Sequence, residues 1–189
     1  AIQYGADILM LPMVMDHHDV EQYVKMVNGR ARICIMIETA ASMARIDKIL
    51  SVPGVDEIFV GLNDLHISMN LTFMFELLSG GIVEYIADRC NRAKMPFGFG
   101  GIARIGDGLL PSDYILGEHV RLGSQSVILS RSFKGEVGDA TKEFRLIDEV
   151  NKVRRRVNEI QKWDTEEHRL NQKRILQGVD AVIAKITKA

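Results

Sequence analysis

The chain has 189 residues, 47% hydrophobic and 26% charged, a composition that excludes a disordered polypeptide and leaves room for one real core. Lys plus Arg (24) nearly balances Asp plus Glu (25), and the net charge of -1 gives no footprint for nucleic acid or an anionic membrane. No run approaches about 18 uninterrupted apolar residues and no basic segment leads into an apolar one near the start, so no membrane span, no signal peptide and a cytoplasmic setting are expected.

Five short apolar runs read as strands: 7–14 (DILMLPMV), 31–38 (ARICIMIE), 56–62 (DEIFVGL), 96–103 (PFGFGGIA) and 125–133 (QSVILSRSF). The first three are apolar nearly throughout rather than alternating, which suits strands covered on both faces in a parallel sheet. Helical patterns lie between them. The segment 16–29 has Asp16 or Asp19 to cap it and Asn28–Gly29 to stop it. The segment 39–54 carries Met43, Ile46, Ile49 and Leu50 at helical spacing and ends at Pro53–Gly54. The segment 72–95 is long, with Gly80–Gly81 as a break, and 110–123 has Pro111 near its start and Gly123 after its end. Strands alternating with helices of this length predict right-handed crossovers and an α/β architecture. Cys34 and Cys90 form no CxxC or disulfide framework and read as buried free thiols.

After about residue 140 the strands cease. Phe144, Ile147, Val150, Val153, Val157 and Ile160 make one apolar stripe, Asp164 and Glu167 form a capping signal, and Leu170, Ile175, Val179, Val182 and Ile186 make a second stripe. The organisation expected is a barrel portion over 1–138 and a helical hairpin over 139–189. The hairpin either covers the sheet or reaches a neighbouring subunit, which would make a homo-oligomer.

In parallel α/β folds the chemistry sits at the carboxyl ends of strands. The polar residues there are Asp16 with His17 and His18, Glu38 with Thr39, Asn63 with Asp64, Arg104 with Asp107, and Ser130 with Arg131. Glu38 and Asp64 are carboxylates ending successive strands, and parallel neighbours lie about 4.8 Å apart. Two partly desolvated carboxylates that close repel each other unless a cation sits between them, and Mg²⁺ suits such a pair. The alternatives are a cap or an ion pair with Arg45 or Arg104 for Glu38, and an Asx-turn or helix cap for Asp64. His17 and His18 are strand-end proton donors, or else a cap and a solvated neighbour. Gly100, Gly101, Ser130 and Arg131 end the last two strands and form a candidate anion site, or the glycines serve only close packing. His119 and Glu118 fall inside a helix and read as structural.

The stretches IMIETAASM (35–43) and VDEIFVGLNDLHISM (55–69), after GADILMLPMV (5–14), resemble the HpcH/HpaI-type aldolase and citrate lyase family of the pyruvate-phosphoenolpyruvate barrel superfamily. The resemblance covers roughly residues 1–135. It implies that Glu38 and Asp64 hold a Mg²⁺ or Mn²⁺ ion. It also implies that Gly61, Leu62, Asn63 and Asp64 form the turn whose amides receive the carboxylate of a small-molecule ketoacid. The activity implied is that of a metal-dependent carbon–carbon lyase or aldolase working through a stabilised enolate. The sequence departs from the family pattern at Leu62, where proline is usual, at His66, usually small and polar, and at Asn70, often glycine. The family's arginine and acid/base histidine come from strands before LMLPMV, so no catalytic acid or base is assigned. A (β/α)8 barrel takes about 250 residues, so five strands imply a partial or truncated barrel. The alternative function is then a binding or structural subunit without catalysis. A Schiff-base aldolase would need a strand-end lysine, for which only Lys134 qualifies.

Overall fold

The structure, a computed structural model, describes residues 1–134 and 146–188. Its strands are β1 (Ile8–Leu11), β2 (Arg32–Ile37), β3 (Glu57–Val60), β4 (Phe97–Ile102) and β5 (Ser126–Leu129). The helices are α1 (His17–Val27), α2 (Ala40–Ala44), α3 (Ile46–Leu50), α4 (Leu62–Ser68), α5 (Glu76–Ser79), α6 (Ile82–Arg92), α7 (Ser112–Leu122), α8 (Leu146–Ile160) and α9 (Thr165–Ile186). The sheet order is β1-β2-β3-β4-β5, with β1 to β4 parallel in register. Gln125 donates its N–H to the Phe97 carbonyl and Ser130 to that of Ile102, a constant offset that makes β4 and β5 parallel too. Strands neighbouring in sequence order, with helices in the crossovers, are successive β/α units of a barrel type and not a doubly wound sheet. The α/β expectation of a partial barrel is met.

The chain divides into two compact units, residues 1–100 with 123–126, and residues 101–122 with 127–189. The boundary expected at 138/139, like Phe144 of the first stripe, lies outside the described residues.

In the first unit, β2 and β3 are covered as their apolar runs require. Ile33, Ile35, Ile37, Ile58 and Val60 are all buried, each contributing about 1.5–3 kcal/mol of transfer free energy. The N-terminus of α1 is held by a reciprocal capping box between Asp16 and Asp19, so Asp16 is the cap. Backbone donation from His18 and Asp19 holds the exposed Asp16 carboxyl below its usual pKa. In α6, Val83, Ile86, Ala87 and Cys90 form one buried stripe, and α6 packs on α3 with Arg89 paired to Asp47. Cys34 and Cys90 are free and buried, and desolvation pushes both thiols up to about 12.

The segment 39–54 differs from its reading as one helix. It forms α2 and α3, parted at Arg45, whose φ of −109° and ψ of 17° leave the helical well. The expected break at Gly80–Gly81 is present, with Gly81 at φ 76° between α5 and α6.

In the second unit, α7 packs against α8 and α9. Gly117 makes room for Asn171, which is fully buried and donates to the Tyr114 carbonyl at 2.9 Å. Glu118 is buried and paired with Arg121 at 2.7 Å, and burial pulls the pKa of His119 down to about 3. Both are buried within α7. The α9 capping box of Asp164 and Glu167 forms, but Ile147, Leu170 and Ile186 face outward. The buried face of α9 is Asn171, Ile175, Val179 and Val182.

Candidate metal and ketoacid site

Register decides what meets Glu38. Ile37 of β2 is level with Val60 of β3, so the next residues, Glu38 and Gly61, end the two strands side by side. Gly61 donates its N–H to the Ile37 carbonyl at 3.1 Å, closing the pair. A Cβ on Gly61 would lie 2.7 Å from Glu38 Oε2 and 2.9 Å from Glu38 Cβ, so the carboxylate occupies the space that only glycine leaves.

Glu38 is 3% exposed. Its Oε1 accepts the Met13 N–H at 2.7 Å, from the loop that follows β1. Among the described residues, no hydrogen bond or ion pair reaches Oε2. Arg45 instead donates to the Ala41 carbonyl and so is not the partner considered for Glu38. The cap of α2 is Thr39, in a box with Ser42, and not Glu38. Thr39 Oγ1 also donates to the Val14 carbonyl at 2.8 Å, a second tie between the β1 loop and the end of β2.

Met13 bears the strain of this arrangement. Its φ of 54° places a non-glycine residue in the left-handed region. The side chain is 59% exposed, so what this backbone achieves is the direction of its N–H.

Asp64 lies in the first turn of α4, exposed, with Gly61 as the N-cap residue and no side-chain cap. The expected turn is therefore a helix start. Its first amides, of Leu62, Asn63 and Asp64, have no intrahelical acceptor. Leu62, where proline is usual in the resembled family, is 1% exposed and packs against Gly100, whose added Cβ would fall 2.4 Å from Leu62 Cδ1. Asn63 is exposed. His66 donates Nδ1–H to the Leu62 carbonyl at 3.2 Å, within its own helix. Asn70 has φ 57°, the conformation glycine would take most easily.

The donor set fits a hard divalent ion. A nearly buried carboxylate with one backbone donor, and an exposed carboxylate on the adjoining turn, offer oxygen ligands and leave positions for water and substrate oxygens. Sequence reasoning named Glu38 and Asp64 as candidates and did not name Met13, whose backbone N–H meets Glu38.

Of the candidate anion residues, Gly100 belongs to the first unit and is accounted for by Leu62. Gly101, Ser130 and Arg131 belong to the second. There Ser130 Oγ lies 2.9 Å from Ser132 Oγ, and Ser132 Oγ accepts the Arg104 N–H at 3.1 Å, while Arg131 is exposed. Among the described residues, no helix is long and apolar enough to cross a membrane.

Residues 1–76 match the profile of the HpcH/HpaI aldolase/citrate lyase family. A hydroxypyruvate/pyruvate aldolase of Roseovarius nubinhibens is 29% identical over 89 residues, 47% of this chain and 34% of that protein. RipC from Yersinia pestis superposes with a TM-score of 0.56 at 13% identity, over 78% of this chain and 63% of that one. An HpcH/HpaI aldolase/citrate lyase family protein from Burkholderia cenocepacia J2315 gives 0.55 at 16% identity, over 69% and 60%. The two structures show a shared fold, and this chain spans about a third of the aldolase's length and under two thirds of theirs. The E-T and G-x-N-D-L elements fall inside the matched segment, and residues 1–76 are thus similar to the HpcH/HpaI aldolase/citrate lyase family.

Proposed function

We propose that this chain carries the metal- and ketoacid-binding part of a divalent-metal-dependent carbon–carbon lyase or aldolase. The observation that carries the reading is Glu38, a buried carboxylate with a single backbone donor and an oxygen turned to the start of the Asp64 helix. Leaving such a group without a charge partner is costly, and a cation removes the cost. Glu38 and Asp64 would hold Mg²⁺ or Mn²⁺, which when bound supplies Lewis-acid polarisation of a ketoacid's oxygens. The Met13 N–H fixes Oε1 of Glu38, which leaves Oε2 for the ion. Gly61 keeps the space beside that oxygen clear. The amides of Leu62, Asn63 and Asp64 would donate to the carboxylate of a 2-ketoacid or related small carboxylic acid.

The test is Mn²⁺ binding to the full chain, with and without oxalate, whose planar dianion resembles a ketoacid enolate. Binding that oxalate tightens, and that Glu38→Gln and Asp64→Asn each weaken about tenfold or more, supports the reading. No Mn²⁺ binding by a folded sample sinks it and leaves a binding or structural subunit as the better account.

A further inference from the structure

The loop after β1 ends in a second group of metal-ligating side chains that the reading above does not use. His17 and His18 open α1 and Glu21 follows one turn on, and one donor atom from each lies within 4.8 Å of the other two. The two imidazoles lie tilted at 35° with centroids 4.0 Å apart, and His18 Nδ1 lies 3.4 Å from Glu21 Oε2. His17 Nδ1 is shielded from solvent and has no hydrogen-bond partner among the described residues. An orphaned ring nitrogen costs stability, and a cation among the three side chains is one way to satisfy the cluster.

We propose that His17, His18 and Glu21 form a binding site for a borderline transition-metal ion of the Zn²⁺ or Co²⁺ class. Two imidazoles and one carboxylate are ligands such ions favour, whereas Mg²⁺ and Mn²⁺ prefer all-oxygen surroundings. Tetrahedral ligands about 2.0–2.1 Å from zinc stand roughly 3.4 Å from one another, so the donors need close by little more than 1 Å. His18 is exposed and Glu21 only half-buried, so their torsions are free to do this. The backbone beneath is already fixed by the Asp16–Asp19 capping box, and the two carboxylates offset the positive end of the helix. Three protein ligands leave a coordination position for water or an anion, the open kind of site. It would face the carboxyl end of β1, the end of the sheet from which Met13 reaches Glu38. This inference stands independently of the ketoacid reading.

The test is a Co²⁺ titration of the full chain, followed by ligand-field absorption and reversed with Zn²⁺, in excess Mg²⁺ to occupy oxygen-only sites. The expected result is one Co²⁺ equivalent bound, displaced by Zn²⁺, with affinity reduced about tenfold or more in His17→Ala and in His18→Ala and also reduced in Glu21→Gln. Circular dichroism of each variant checks that the fold is kept. Failure of the folded wild type to bind Co²⁺, or binding that survives the His17→Ala/His18→Ala double variant, would overturn the proposal.

Discussion

Met13 holds a left-handed backbone that costs on the order of 1 kcal/mol, and it does so with a side chain that buries little. The return is the N–H on Glu38. Met13→Gly keeps that N–H; it relieves the strain while adding freedom to the unfolded chain, and the two effects roughly offset. Stability should stay within about 1 kcal/mol and Mn²⁺ affinity should not change. Met13→Pro removes the donor and forbids the positive φ, so a loss of about 3 kcal/mol or more and weaker Mn²⁺ binding are expected. Urea unfolding and Mn²⁺ titration read both. A proline variant as stable as wild type would show that the Met13 amide does not hold Glu38. The carboxylate was legible in the sequence because an ionisable side chain at the end of an apolar strand stands out. Its donor was not, because nearly every residue has an N–H and its direction is set by how the loop closes.

The helix α7 shows a dependence of the same kind between elements. A Cβ on Gly117 would lie 2.4 Å from Asn171 Nδ2, so this helix accepts α9 only where it carries glycine. Gly117→Ala gains about 1 kcal/mol of helix propensity. Against that stand overpacking of about 1–3 kcal/mol and a buried amide torn from the Tyr114 carbonyl, another 1–3 or so. A net loss of about 3 kcal/mol is expected in denaturant unfolding. In an Asn171→Ala background the loss should shrink, though Trp163 Cζ3 would still lie 3.0 Å from the new Cβ, and a loss of equal size there would count against the account. The strands β2 and β3 were readable because burial on both faces makes an apolar run with no alternation. The break at Arg45 was not, since no Gly or Pro marks it. Leu170 belongs to the apolar pattern of α9 yet is 43% exposed, while Asn171 beside it is buried. That exchange depends on a glycine 54 positions away, beyond the reach of helical periodicity.

Taken together, the chain has parallel, sequentially ordered strands and a buried carboxylate at the end of β2, and it spans about a third to under two thirds of the relatives it matches. The matched segment and both cysteines lie in the first compact unit. Those cysteines react only as thiolates, and burial leaves them almost wholly protonated at neutral pH. Each therefore stays silent towards a thiol reagent until its own element opens. Cys34 times the release of β2, the strand that ends in Glu38, and Cys90 times that of α6. If Mn²⁺ binds at Glu38, it should slow modification of Cys34 by the factor 1 + [Mn²⁺]/Kd when reclosing outpaces labelling. Mass spectrometry after timed exposure would read the two sites separately. A Cys34 rate indifferent to saturating Mn²⁺ would mean that β2 opens without releasing the ion. A slowed rate would make an unmodified thiol, four residues from the carboxylate, a clock for how long the metal holds its strand shut.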